Sequence, residues 1–132
     1  MEVLFAATVL PVAPSFARDA LRRDIESYAV ASCLTAQSSN YLVEQGDGWA
    51  ANIVQREAFQ LAAFSRVAAV VKAEVARGHM ATIIVDQPPG TAKPLPIQYC
   101  SELIDRPAVH RQIEAAIVGM RSKGRVKNQR SR

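Results

Sequence analysis

The chain has 132 residues, 49% of them hydrophobic, enough for one compact domain with a core and too few for two. Its net charge of +4 comes from one end: of 16 Lys and Arg, six (Arg121, Lys123, Arg125, Lys127, Arg130, Arg132) fall in residues 121–132 with no acid, leaving 10 basic against 12 acidic groups in residues 1–120. A near-neutral body disfavours a reader of nucleic-acid grooves, which needs a basic surface, and the terminal charges read as a solvated, disordered tail rather than a binding arm.

From the start, Val3 to Leu10 form an apolar run, Pro11 and Pro14 interrupt it, and Ser15-Phe16-Ala17 precede Arg18. Small residues at 15 and 17 are the pattern a signal peptidase reads, so residues 1–17 are expected to be a signal peptide, although Met1-Glu2 lacks the usual Lys or Arg. The other reading is a first element packed on the domain; in either case the run is too short to span a bilayer. The mature domain is expected to cover residues 18–120, in the periplasm and without a membrane contact. The only two cysteines, Cys33 and Cys100, suit one disulfide in an oxidising compartment; in a reducing one they read as buried core thiols.

After Arg18, the positions Leu21, Ile25, Tyr28, Ala29, Ser32, Cys33 and Ala36 recur at three- and four-residue steps and define one helical face, with Arg22, Arg23, Asp24 and Glu26 mostly off it. Gly46-Asp47-Gly48 is expected to end this segment, and Asp47 to cap the next helix. Residues 49–77 contain no Gly or Pro. Trp49, Ile53 and Val54 form one stripe and Phe64, Val67, Val71 and Val75 another, which predicts two helices, or one bent helix, with any break between Glu57 and Leu61 and a stop at Gly78.

The helical period then disappears. Met80 to Val85 is a short apolar run of extended type, followed by a stiff stretch in which Pro89-Gly90 fits the centre of a type II turn. Four of the seven prolines lie between Pro88 and Pro96, so this is expected to be one long Pro/Gly loop. Helical spacing returns from Leu95 to Ile104; Asp105 is then expected to cap a last helix carrying Val109, Ile113, Ala116, Ile117 and Met120, with Pro107 in its first turn. The sum is an all-α, single-domain helical bundle.

Chemistry is sparse. His79 and His110 are far apart, neither cysteine has a second thiol at zinc spacing, and there is no glycine-rich phosphate loop, so no metal, cofactor or catalytic set is expected. Glu44, Asp47, Glu102 and Asp105 are explained by capping and solvation, and His110 with Glu114 by ordinary surface pairing. Such a chain is expected to bind another protein and not to be an enzyme.

Three short patterns, Tyr28-Ala29-Val30-Ala31-Ser32-Cys33-Leu34, Gly46-Asp47-Gly48-Trp49, and Tyr99-Cys100 with Leu103-Ile104, give the chain a resemblance to the type VI secretion amidase immunity proteins. The resemblance covers most of residues 18–120; the basic segment after Met120 and the local prolines depart from it. It implies a periplasmic helical protein, often a homodimer, that binds a toxic peptidoglycan amidase and blocks its Cys-His active site. The expected contact is the stiffened segment Asp86, Gln87, Pro88, Pro89, Gly90, Thr91, Ala92 and Lys93, since a rigid loop loses less entropy on binding; the competing reading makes the loop a connector and gives the contact to a helical face. Two rival functions are a chaperone-like or envelope-stress binding protein of the periplasm and a cytosolic nucleic-acid accessory protein.

Overall fold

The computed structural model describes residues 19–57, 60–85 and 90–131. The expected signal peptide, the first four residues of the expected contact segment (Asp86, Gln87, Pro88, Pro89) and Arg132 lie outside them. The described chain runs α1 (Ala20–Thr35), α2 (Asn40–Arg56), α3 (Leu61–Arg77), β1 (Thr82–Val85), β2 (Thr91–Pro94), α4 (Pro96–Glu102), a single 3₁₀ turn (Leu103–Asp105) and α5 (Pro107–Arg130). It is an all-α bundle carrying one small two-stranded ribbon.

α1 is the central helix, with α2, α3, α4 and α5 all packed against it. Its expected face holds: Ile25, Ala29, Ser32 and Cys33 are buried, with Leu21 and Tyr28 half-buried. Because neighbours enclose it on several sides, Asp24, Ala31 and Leu34 are buried too, while Ala36 falls just outside the helix and is exposed. Asp19 starts α1 by accepting a hydrogen bond at Oδ1 from the Leu21 amide at 3.0 Å. Arg22 of α1 makes a two-pronged pair with Glu114 of α5, and Glu114 also lies 4.0 Å from His110.

The expected break at Gly46-Asp47-Gly48 does not occur. The first helix stops at Thr35, Ser39 caps the second, and the glycine pair lies inside α2. A Cβ at Gly46 would stand 2.7 Å from the Ala31 carbonyl oxygen and 3.0 Å from both Leu34 Cβ and Thr35 Cγ2, so this glycine is the contact that lets α2 lie against α1. Gly48 faces open space. Asp47 is consequently an exposed mid-helix residue rather than a cap, and Trp49, expected on the buried stripe, is 41% exposed; Ile53 of that stripe is buried.

The break between Glu57 and Leu61 is where expected, and Phe64, Val67 and Val71 are buried with Val75 half-buried. α3 stops at Gly78, whose amide donates to the Glu74 carbonyl at 2.8 Å. α5 begins at Pro107, but its cap position is Arg106, not Asp105: a residue before proline is pushed out of the helical region, and Arg106 is extended (φ −69°, ψ 137°). Asp105 completes the 3₁₀ turn instead. Val109, Ile113, Ala116, Ile117 and Met120 all enter the core. Residues 121–130, expected as a disordered tail, continue α5 as exposed helix, with Arg121 paired to Asp19.

Cys33 and Cys100 form a disulfide with Cα atoms 5.5 Å apart, joining α1 to α4 across 67 residues of sequence. Both half-cystines are fully buried in the one core cluster, beside Tyr99 and Leu103. Replacing both with alanine should lower stability by about 4 kcal/mol on the chain-entropy model, a loss that denaturant titration of the double variant against wild type would measure.

The two glycines of α2 give opposite expectations. Gly46→Ala forces α1 and α2 apart and should destabilise by about 1–3 kcal/mol. Gly48→Ala gains helix propensity at no steric cost and should stabilise by about 0.5–1 kcal/mol, so paired unfolding curves should move in opposite directions.

Candidate binding surface

The second part of the expected loop, Thr91–Pro94, is a strand paired with the extended run before it. Thr82, Ile83, Ile84 and Val85 stand opposite Pro94, Lys93, Ala92 and Thr91 in an antiparallel ladder, and the Leu95 amide donates to the Ala81 carbonyl at 2.7 Å at its base. β-branched residues on β1 favour this extended form. Gly90 has φ 78°, a left-handed value that glycine adopts without strain; the expected partner of its turn, Pro89, lies outside the described residues.

The bond at Ala81 and Leu95 fixes the phase of the ladder. Alternation in an antiparallel pair makes Ile83/Lys93 and Val85/Thr91 the hydrogen-bonded partners, and Thr82/Pro94 and Ile84/Ala92 the others. Pro94, lacking an amide hydrogen, occupies a position whose amide would point outward, which removes a donor from the free edge of β2. Among the described residues no strand pairs with the other edge of β1, which carries the outward amides and carbonyls of Thr82 and Ile84.

The ribbon is mostly solvent-facing. Ile84 is 67% and Ile83 46% exposed, on opposite faces of the strand, and Gly90, Thr91, Ala92 and Lys93 are all exposed. Directly after the hairpin, Ile97 of α4 is exposed as well. Both legs of the ribbon are anchored: Cys100 ties the outgoing one to α1, and on the incoming side Gly78 lies close against the Tyr99 hydroxyl and the Arg106 guanidinium. The Arg106 guanidinium lies 5.1 Å over the Tyr99 ring and 3.6 Å from Glu74.

No family model, curated protein or solved structure matches the chain. Among the patterns behind the family resemblance, Tyr28–Leu34 lies in α1 and Tyr99-Cys100 reaches α1 through the disulfide. Of the pattern Gly46–Trp49 in α2, Gly46 lies against α1, while Gly48 faces open space and Trp49 is exposed. Among the described residues, no three of His, Cys, Asp and Glu gather as a metal site would require, and no helix is long and apolar enough to cross a membrane.

One polar cluster was not anticipated. Asp24, expected off the buried face, is 2% exposed; Arg56 of α2 grips it with Nε to Oδ2 at 3.0 Å and Nη2 to Oδ1 at 2.7 Å, and Arg23 Nε lies 3.9 Å away. These hydrogen bonds hold the Asp24 carboxyl below its ordinary range against the opposing effect of burial. Burial, a hydrogen bond with Asp24 and the Asp24 charge push Glu57 up to about 7, with Arg56 pulling it back in part. The signal was available only in hindsight, since a carboxylate on a charged-looking turn carries no mark of burial.

The two shifts act on stability in opposite directions. Asp24 is depressed, so its contribution is present above its unfolded value and lost as pH falls through its folded value; Glu57 is raised, so its contribution is present below the ordinary glutamate range and lost as pH rises towards 7. Stability should therefore peak within the ordinary carboxylate range, at pH ~4, and fall from there towards neutrality as Glu57 ionises. Glu57→Gln should flatten the neutral side of that peak, as read by denaturation midpoints measured from pH ~5 to ~8.

Proposed function

We propose that this protein is a periplasmic immunity protein that binds a type VI secreted peptidoglycan amidase and occludes its active site, with the hairpin as the contacting element. The observation that carries the reading is the anchored ribbon, which exposes Ile83 and Ile84 on a base tied down by a buried disulfide. An ordered projection loses little conformational entropy on binding, and exposed apolar side chains on it supply the contact energy. The disulfide is compatible with an oxidising compartment, which supports export. The outer edge of β1, unpaired among the described residues, adds backbone groups that a partner strand can meet. These features favour the hairpin over a helical face as the contact.

The test is retention of envelope proteins on the immobilised chain, with each captured protein identified and assayed for cell-wall hydrolysis. Wild type should retain a Cys-His amidase and suppress its activity. Ile84→Asp should weaken that binding by about thirtyfold or more, the loss of one central anchor, while unfolding shifts by less than about 0.5 kcal/mol because the side chain is exposed. Retention of no hydrolase by wild type, or equal inhibition by the variant, would remove respectively the function or the hairpin from the proposal.

A further inference from the structure

α2 and α3 both pack on α1 and scarcely on each other, so a cleft opens between them with α1 as its floor. It measures about 200 Å³ and is lined by Tyr28, Ser32 and Thr35 of α1, Asp47 and Ala50 of α2, and Ala68 and Lys72 of α3. Alanine on each facing helix, Ala50 and Ala68, leaves the space between the walls unfilled. The floor is rigid: the Tyr28 ring packs on Phe64 with centroids 4.6 Å apart, and the Thr35 hydroxyl donates to the Ser32 carbonyl at 2.7 Å. That donation leaves the Thr35 oxygen as an acceptor.

The walls carry opposite charges. Asp47 and Lys72 are exposed on facing helices and, among the described residues, have no ion-pair partner, not even each other. A cleft with an anionic wall, a cationic wall and a hydroxyl-bearing floor is complementary to a small molecule with both charges. Its volume is below the ~300 Å³ at which pockets for drug-sized ligands begin, so the ligand is small.

We infer that this cleft binds a free α-amino acid as its zwitterion, the ammonium meeting Asp47 and the Thr35 oxygen and the carboxylate meeting Lys72. Neither the hairpin nor the amidase reading enters this inference.

Amide-resolved NMR titration of the full chain with glycine and L-alanine tests it, with acetate and methylammonium as single-charge probes. The amino acids should give saturable shifts confined to α1, α2 and α3 around the cleft, and each single-charge probe should bind at least about tenfold more weakly, the loss of one charge-assisted hydrogen bond. Asp47→Asn and Lys72→Gln should each cost the amino acids a similar factor, and the exchange variant Asp47→Lys with Lys72→Asp should recover binding only in part, because the reversed ammonium no longer meets the Thr35 oxygen. Both side chains are exposed, so unchanged melting curves will separate loss of the site from loss of the fold. No saturable shift with either amino acid, or acetate binding as well as alanine, would overturn the assignment, the latter leaving a simple anion contact at Lys72.

Discussion

The burial of α1 is the constraint on which the remaining structure depends, and the Cys33–Cys100 bond is its covalent expression. Four helices pack against this one, and the disulfide couples its interior face to the short α4, a seven-residue helix that by itself would be a marginal element. Everything between the two half-cystines is thereby referred to a common origin: the tight crossing of α2 at Gly46, the core stripe of α3 and the hairpin that follows Gly78. Without the bond, the leg of the hairpin that enters α4 would be held mainly by Tyr99, Cys100 and Leu103 packing into the core.

Enclosure of α1 also explains the cost accepted at Asp24. A helix with partners on most sides has little room for a solvated face, and a charged side chain at that position must be compensated in place. The two-pronged grip of Arg56 does this, and in doing so it ties the last turn of α2 back to the first half of α1. Glu57, next in sequence, then shares the same desolvated corner and is driven towards its neutral form. A structural ion pair has in this way produced a carboxyl that titrates near neutrality without any catalytic role being required of it.

The elements most legible in the sequence were those whose information is local. The stripe Val109 to Met120, the valines of α3, the break before Leu61 and the left-handed turn glycine at Gly90 follow from periodicity and backbone sterics alone. The failures share a cause. Gly46-Asp47-Gly48 has the composition of a helix stop, but Gly46 is required by the close approach of the preceding helix α1 at Ala31, Leu34 and Thr35, and no property of the tripeptide reveals it. Asp105 has the chemistry of a cap, yet Pro107 moved the boundary to Arg106. The extended run Thr82–Val85 is legible from its β-branched residues, but its partner Thr91–Pro94 is exposed along its whole length and carries no alternation, which marks only strands with one side buried, so the pairing is not. The cleft between α2 and α3 could not be read at all, since it is defined by two helices failing to touch.

The placement of the hairpin has a topological consequence. Residues 82–94 lie wholly inside the loop closed by Cys33 and Cys100, so the exposed ribbon is part of a covalent ring rather than of an open strand. A protease that severs the ribbon would leave two fragments joined through sulfur and through a shared core. A cut in the exposed ribbon therefore interrupts the backbone without releasing either fragment from the other, and the nicked species keeps its covalent link from α1 to α4.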